Sequence, residues 1–215
     1  MSTPVAETAP ADERAWWLRL PAVLLAPRPV FAALRDDSGE TARARQEPVA
    51  AIVGIAGIAG AFLSPVARHI LNDPANSPIV IPVWAFVGGA LEGLALYFVL
   101  GGCLYVAARG LGGLGSYRRA RHVLAYASVP IALSLFTLWP VRIAVYGQDL
   151  FRTGGDDYGR GDAIFGAVEL GFFAWSGILL LIGVRSVHGW SWPRSAAAVV
   201  LAALPPALLV LTHYV

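Results

Sequence analysis

Long apolar runs separated by short polar stretches dominate this chain, and five of them reach the length that a membrane crossing requires. They cover roughly 48–66, 83–108, 123–146, 163–184 and 195–213, each with about twenty or more largely apolar residues. A helix rising about 1.5 Å per residue needs that many to cross a hydrocarbon core of about 30 Å. Helices are predicted rather than strands, because a spanning helix satisfies its own backbone and the short alternating segments of an outer-membrane barrel are absent. The expected fold is therefore all-α: a polytopic membrane protein built as a five-transmembrane-helix bundle. Pro130 and Pro140 in the third run, and Pro205 and Pro206 in the fifth, predict kinks.

Residues 1–47 do not read as a simple signal peptide, since Arg19, Pro21, Pro27, Arg28 and Pro29 interrupt the apolar stretch that starts at Ala15. They read as a cytoplasmic tail with interfacial amphipathic helices, and residues 48–215 as the five-span domain. Trp16, Trp17 and Leu20 are expected in the headgroup boundary, with Arg14 and Arg19 towards anionic phosphates. A second short helix is expected over 30–34, then a solvated linker over 35–47, with residues 1–12 as a disordered tail.

Composition agrees with a place in lipid. With 57% hydrophobic residues, 14% charged residues and a mean hydropathy of +0.62, the chain has too little polar surface to cover a water-soluble domain of this size. All sixteen cationic side chains are arginine, which points to a GC-rich, bacterial coding bias. A net charge of +2 and the lack of stacking aromatics among the basic residues argue against nucleic-acid binding. The single cysteine, Cys103, excludes an intrachain disulfide.

The arginines also orient the bundle. Twelve fall before the first run, between the second and third, or between the fourth and fifth, against three in the opposite loops. The positive-inside rule then places the N-terminus in the cytoplasm and the C-terminus outside the cell (inner) membrane.

Small residues mark helix contacts: Gly54, Gly57 and Gly60 in the first run, a GxxxG at Gly89 and Gly93 in the second, and Ala163, Ala167 and Gly171 in the fourth. Packing within the bundle and homodimerisation are both open to such faces.

Ionisable groups inside spans are costly and usually face a bundle interior or a cavity. Glu92, Arg142 and Glu169 are the three clear cases, and Arg142 and Glu169 fall at similar depth on consecutive antiparallel helices. An Arg142–Glu169 ion pair is predicted, with Glu92 as a second partner for the arginine. Structural pairing and a role in a proton or substrate path are the two readings of this cluster. His69 and His213 lack any metal-ligand spacing, so no metal site is expected.

The stretch from Arg109 to Pro130 separates two apolar runs with four arginines, four glycines and no acid. Its literal GxGxxG at Gly110, Gly112 and Gly115 follows a transmembrane helix instead of a strand, which removes the nucleotide-binding reading. What remains is a tight cytoplasmic turn with Ser116 capping the next helix. Arg118, Arg119 and Arg121 are then available to an anionic lipid or an acidic partner. No nucleophile elbow, Walker motif, CxxC or His–carboxylate pair at ligand spacing occurs, so neither catalysis nor a cofactor is expected.

Four stretches give the chain a family resemblance. An aromatic, proline-bearing lead-in, WWLRLPAVLLAPRPVFAAL, occupies 16–34, and the second run ends in LYFVLGGCLYVAARGLGG at 96–113. A basic turn then leads into SYRRARHVLAYASVPIAL at 116–133, and WSGILLLIGVRSVHGWSWPRSAAAVVL covers 175–201. The chain resembles a bacterial member of the Yip-domain family, membrane proteins named for interaction with Ypt/Rab GTPases. That resemblance implies a five-helix bundle with a cytoplasmic N-terminus. Relatives in eukaryotes act as adaptors in vesicle traffic and bind prenylated GTPases, but a bacterial source lacks Rab proteins, so no GTPase partner is expected. Two function classes follow. One is a non-enzymatic scaffold or adaptor that binds anionic lipids, a membrane-protein partner or a second copy. The other is a small transporter or permease component that uses Glu92 and Glu169.

Overall fold

The computed structural model describes residues 16–35, 49–154 and 160–211, and among these residues the regular structure is helical, with no strand. Helices α1 (Trp16–Leu25) and α2 (Pro27–Ala33) precede α3 (Val49–Ala61) and a short α4 (Pro65–His69). A continuous rod follows, from α5 (Val80–Trp84) through a π-helical turn (Ala85–Gly89) into α6 (Ala90–Gly110). After it come α7 (Tyr117–Ala127), α8 (Val129–Tyr146), a 3-10 turn (Gly147–Phe151), α9 (Arg160–His188) and α10 (Trp192–Leu211).

Three of these helical segments are long and apolar enough to cross a membrane: Val80–Gly110, Tyr117–Phe151 and Gly161–His188, with 31, 35 and 28 residues. Their outward faces carry exposed Phe86, Leu91, Val99, Phe136, Ile164 and Leu170. Large apolar side chains exposed along all three helices are what lipid, and not water, tolerates.

The first predicted span, 48–66, is not one helix. Helix α3 stops at Ala61 after 13 residues, a rise of about 20 Å. The break is local chemistry: Pro65 at the start of α4 disfavours helical backbone at Ser64, which is extended at ψ 150°. Ser64 Oγ then accepts the backbone N–H of Ala67 at 3.2 Å and caps α4. The third span also differs from expectation, since its helix begins at Tyr117 and not at 123. Ser116 caps it, Oγ accepting from Arg119 N at 3.0 Å. Backbone bonding runs on through Ser128, whose N–H donates to Leu124 O at 3.0 Å and whose carbonyl accepts from Ala132 N at 3.0 Å. Pro130 can therefore follow without ending the helix, because it sits in the first turn of α8.

Five helices close a ring in the order α3, α6, α10, α9, α8 and back to α3, and α7 packs against α6 and α9. The tightest seam is α3 against α6. A Cβ at Gly93 would meet Val53 O and stand 2.8 Å from Gly57 Cα, and one at Gly89 would stand 2.9 Å from Gly57 O. Only bare backbone fits there, so Gly57, Gly89 and Gly93 serve packing within the bundle. Gly171 and Gly166 on α9, by contrast, have open space beside them.

The N-terminal helices are less superficial than an interfacial segment. Val23 and Phe31 are fully buried in the main core with Tyr126, Leu179 and Val184. Room for the Phe31 ring comes from Gly183, where a Cβ would stand 3.0 Å from Phe31 Cδ1. Trp16 and Trp17 begin α1, but their side chains, like residues 1–15 and all but Arg35 of the linker predicted over 35–47, lie outside the described part.

Hydrogen bonds tie the connections into two distinct ends. At one, Arg35 Nε donates to Ser186 O at 2.6 Å, Arg119 Nη2 to Arg35 O at 2.6 Å, and Arg194 Nε to Leu111 O at 3.1 Å. At the other, Asn72 Nδ2 donates to Thr153 Oγ1 at 2.6 Å, and Thr153 N donates back to Asn72 Oδ1 at 2.9 Å. His69 Nδ1 stands 2.8 Å from Thr153 Oγ1, so this histidine is engaged within the second end.

Candidate functional site

Arg142, on the last turns of α8, is only 2% exposed and is the most deeply buried charge among the described residues. Its Nη2 bonds to Asp162 Oδ1 at 2.9 Å, and its Nη1 lies 3.6 Å from Glu169 Oε2. Asp162 and Glu169 are seven residues apart on α9, so they rise on one face of that helix, with Phe165 between them. The guanidinium also lies 5.9 Å from the Phe165 ring centroid and 5.4 Å from that of Trp139. Two carboxylates and two aromatic faces therefore replace the water that a buried guanidinium has lost. Glu169 is itself 7% exposed, and its Oε1 has no hydrogen-bond partner among the described residues.

Asp162 was not among the residues expected here. It precedes the predicted fourth run, 163–184, and lies on the first turn of a helix that starts at Arg160. The seven-residue spacing to Glu169 was the available signal. Glu92 is not part of this cluster: it forms no ion pair among the described residues. Similar depth did not imply proximity, because α6 packs chiefly against α3, α7 and α10 while Arg142 faces α9. Glu92 instead lines a cavity of about 280 Å³ between α3, α6, the α7–α8 bend and α9. No group of three or more potential metal ligands occurs among the described residues. His213 lies outside them.

The arginine end is also more committed than a free basic loop. Arg118, Arg119 and Arg121 are all on α7, and only 111–116 of the expected loop is non-helical. Arg119 donates from Nη1 to Leu114 O at 3.0 Å as well as to Arg35 O, holding the turn and α2 together. Arg121 lies over Tyr117 at 4.5 Å, Phe98 at 4.7 Å and Tyr97 at 5.1 Å. Arg194 covers Trp190 at 4.4 Å, and Arg185 covers Trp192 at 4.5 Å. Arg118 is half-buried and Arg109 exposed. The glycine turn encloses only about 20 Å³ beside Arg119 and His188, room for about one water and far too little for a nucleotide.

Long apolar helices with lipid-compatible faces, a charge cluster enclosed between two of them and a basic end define this chain as an integral membrane protein. The profile of the Yip1 domain matches residues 22–214, and the chain belongs to that family. The matched region begins within α1, so the buried lead-in helices fall inside the family domain. No curated protein and no solved structure matches the chain.

Proposed function

We propose that the protein is a non-enzymatic, multi-pass scaffold or adaptor of the inner membrane that binds anionic lipid and protein partners at its arginine end. In this reading α3, α6, α8, α9 and α10 cross the membrane, and the end that gathers Arg35, Arg119 and Arg194 faces the cytoplasm. The enclosure of Arg142 with Asp162 and Glu169 carries the proposal. A transport path needs its charged groups reachable by water and substrate, whereas a scaffold needs them paired and held, as Arg142 and Glu169 are held here away from solvent. Support for the orientation comes from the meeting of α2, the α6–α7 turn and the α9–α10 turn at one end, where the positive-inside rule asks for arginine.

Lipid contact on this reading falls to the exposed Arg109 and to Arg118, Arg119 and Arg121 on α7, together with Trp16 and Trp17 of α1. Native mass spectrometry with an anionic phospholipid tests it. The wild type is expected to retain lipid that the Arg109→Gln, Arg118→Gln double variant loses, and equal retention would remove the lipid role. A second reading, a transporter or permease component, draws on one observation: Glu92 borders a cavity instead of an ion pair. Homodimerisation requires a face other than Gly89 and Gly93, which are already covered by α3.

A further inference from the structure

The cavity beside Glu92 has a chemistry that limits what it can hold. Val53, Leu96, Leu100, Leu124, Ile131 and Phe173 supply its apolar walls, and Gly60, where a Cβ would meet nothing within 4 Å, leaves it width. Its volume of about 280 Å³ exceeds the roughly 150 Å³ of an apolar cavity known to take benzene, so an alkyl segment fits. Glu92 is the only charged side chain lining it among the described residues. Ser128, also in the lining, donates its hydroxyl to Ala125 O at 2.8 Å and so presents only lone pairs to the space. The Tyr97 phenol also lines the space; the Glu92 carboxylate is its charged acceptor, and the complement of that charge is a cationic donor.

Depth narrows the class further. Glu92 lies twelve residues from Val80 and eighteen from Gly110, about 18 Å and 27 Å along the rod. Phospholipid headgroups stay at the interfaces, and a phosphate brought beside Glu92 would be repelled, since no arginine among the described residues lines the cavity. We propose that this cavity binds a cationic amphiphile, a single alkyl chain ending in a primary ammonium, with the ammonium on Glu92 and the chain along the apolar walls. The site is separate from the arginine end, and loss of lipid or partner binding there leaves this proposal standing.

The test uses the full-length protein in detergent micelles with n-decylamine as probe and native mass spectrometry as readout. Saturable binding is expected, weakened about tenfold or more by Glu92→Gln, because a charge-assisted hydrogen bond is lost. Gly60→Leu fills the cavity from a position where a Cβ would meet nothing within 4 Å, and it should abolish binding with the helical circular dichroism unchanged. n-Decanoate, with the same chain and the opposite charge, should not bind, and decyltrimethylammonium, lacking N–H donors, should bind more weakly than the amine. Should Gly60→Leu fail to fold, Glu92→Gln and the three probes still decide. Absence of saturable decylamine binding, equal binding by Glu92→Gln, or decanoate or decyltrimethylammonium binding as tightly as the amine would each overturn the proposal.

Discussion

Arg142 Nη2 and Asp162 Oδ1 meet at 2.9 Å between α8 and α9, and this contact is shorter than the one from the same guanidinium to Glu169. The two carboxylates differ in setting: the Asp162 side chain is 38% exposed and that of Glu169 10%. Asp162 can fall back on solvent at the mouth of the cluster, whereas Glu169 depends on the arginine.

That asymmetry gives an order of effects. Arg142→Met should cost about 3–5 kcal/mol, because it strands Glu169 as an uncompensated buried charge. The double variant Arg142→Met, Glu169→Leu should recover much of the loss, with Asp162 left hydrated. Asp162→Asn alone should be the mildest of the three. Thermal unfolding in detergent reads the ranking, and a double variant no more stable than Arg142→Met would contradict the enclosure.

At the α3–α6 seam, position decides what a methyl group does. Gly93→Ala forces a Cβ onto Val53 O and Gly57 Cα and should destabilise by about 1–3 kcal/mol. Gly60→Ala, one turn along α3 in open space, should be neutral or gain up to about 1 kcal/mol from helix propensity. Melting temperatures of the two variants against the wild type compare them directly.

Phe31 anchors α2 to the bundle through the space left at Gly183. Phe31→Ala should cost about 3–5 kcal/mol and release the lead-in helices, seen as faster hydrogen exchange across 20–35. Unchanged protection there would mean that α1 and α2 are held by the lipid interface instead.

Arg119 and Arg118 are neighbours with different duties. Arg119→Ala removes donors to Leu114 O and Arg35 O and should lower stability by about 1–2 kcal/mol. Arg118→Ala should reduce anionic lipid retention. Measuring both properties on both variants separates a structural arginine from a binding one.

Much of this architecture is legible in the sequence, because apolar length reports directly on lipid. The long helices ending at Gly110, Tyr146 and His188 each contain a predicted run, and the pairing of Arg142 with Glu169 follows from matching depth on antiparallel neighbours. Depth gives no azimuth, however. That is why Glu92 stood at a plausible level and yet faces a cavity. Hydropathy also runs on through Phe62, Leu63 and Val66, so the end of α3 was marked only by Ser64 and Pro65, a cap and an imide in an apolar context. Amphipathicity in α1 and α2 says that one face leaves water. It does not say whether lipid headgroups or protein receive it, and for Val23 and Phe31 the answer is the protein core.

The central claim, that the arginine-bearing end and the Asn72–Thr153 end lie on opposite sides of the membrane with the arginines inside, is open to one direct measurement. The chain has a single cysteine, so Cys103→Ser gives a background in which Arg118→Cys and Thr153→Cys are made separately. Intact cells are treated with a membrane-impermeant maleimide before and after permeabilisation. Thr153→Cys is expected to label in intact cells, and Arg118→Cys only once the membrane is opened. Labelling of Arg118→Cys in intact cells, or of both positions from the same side, would contradict it.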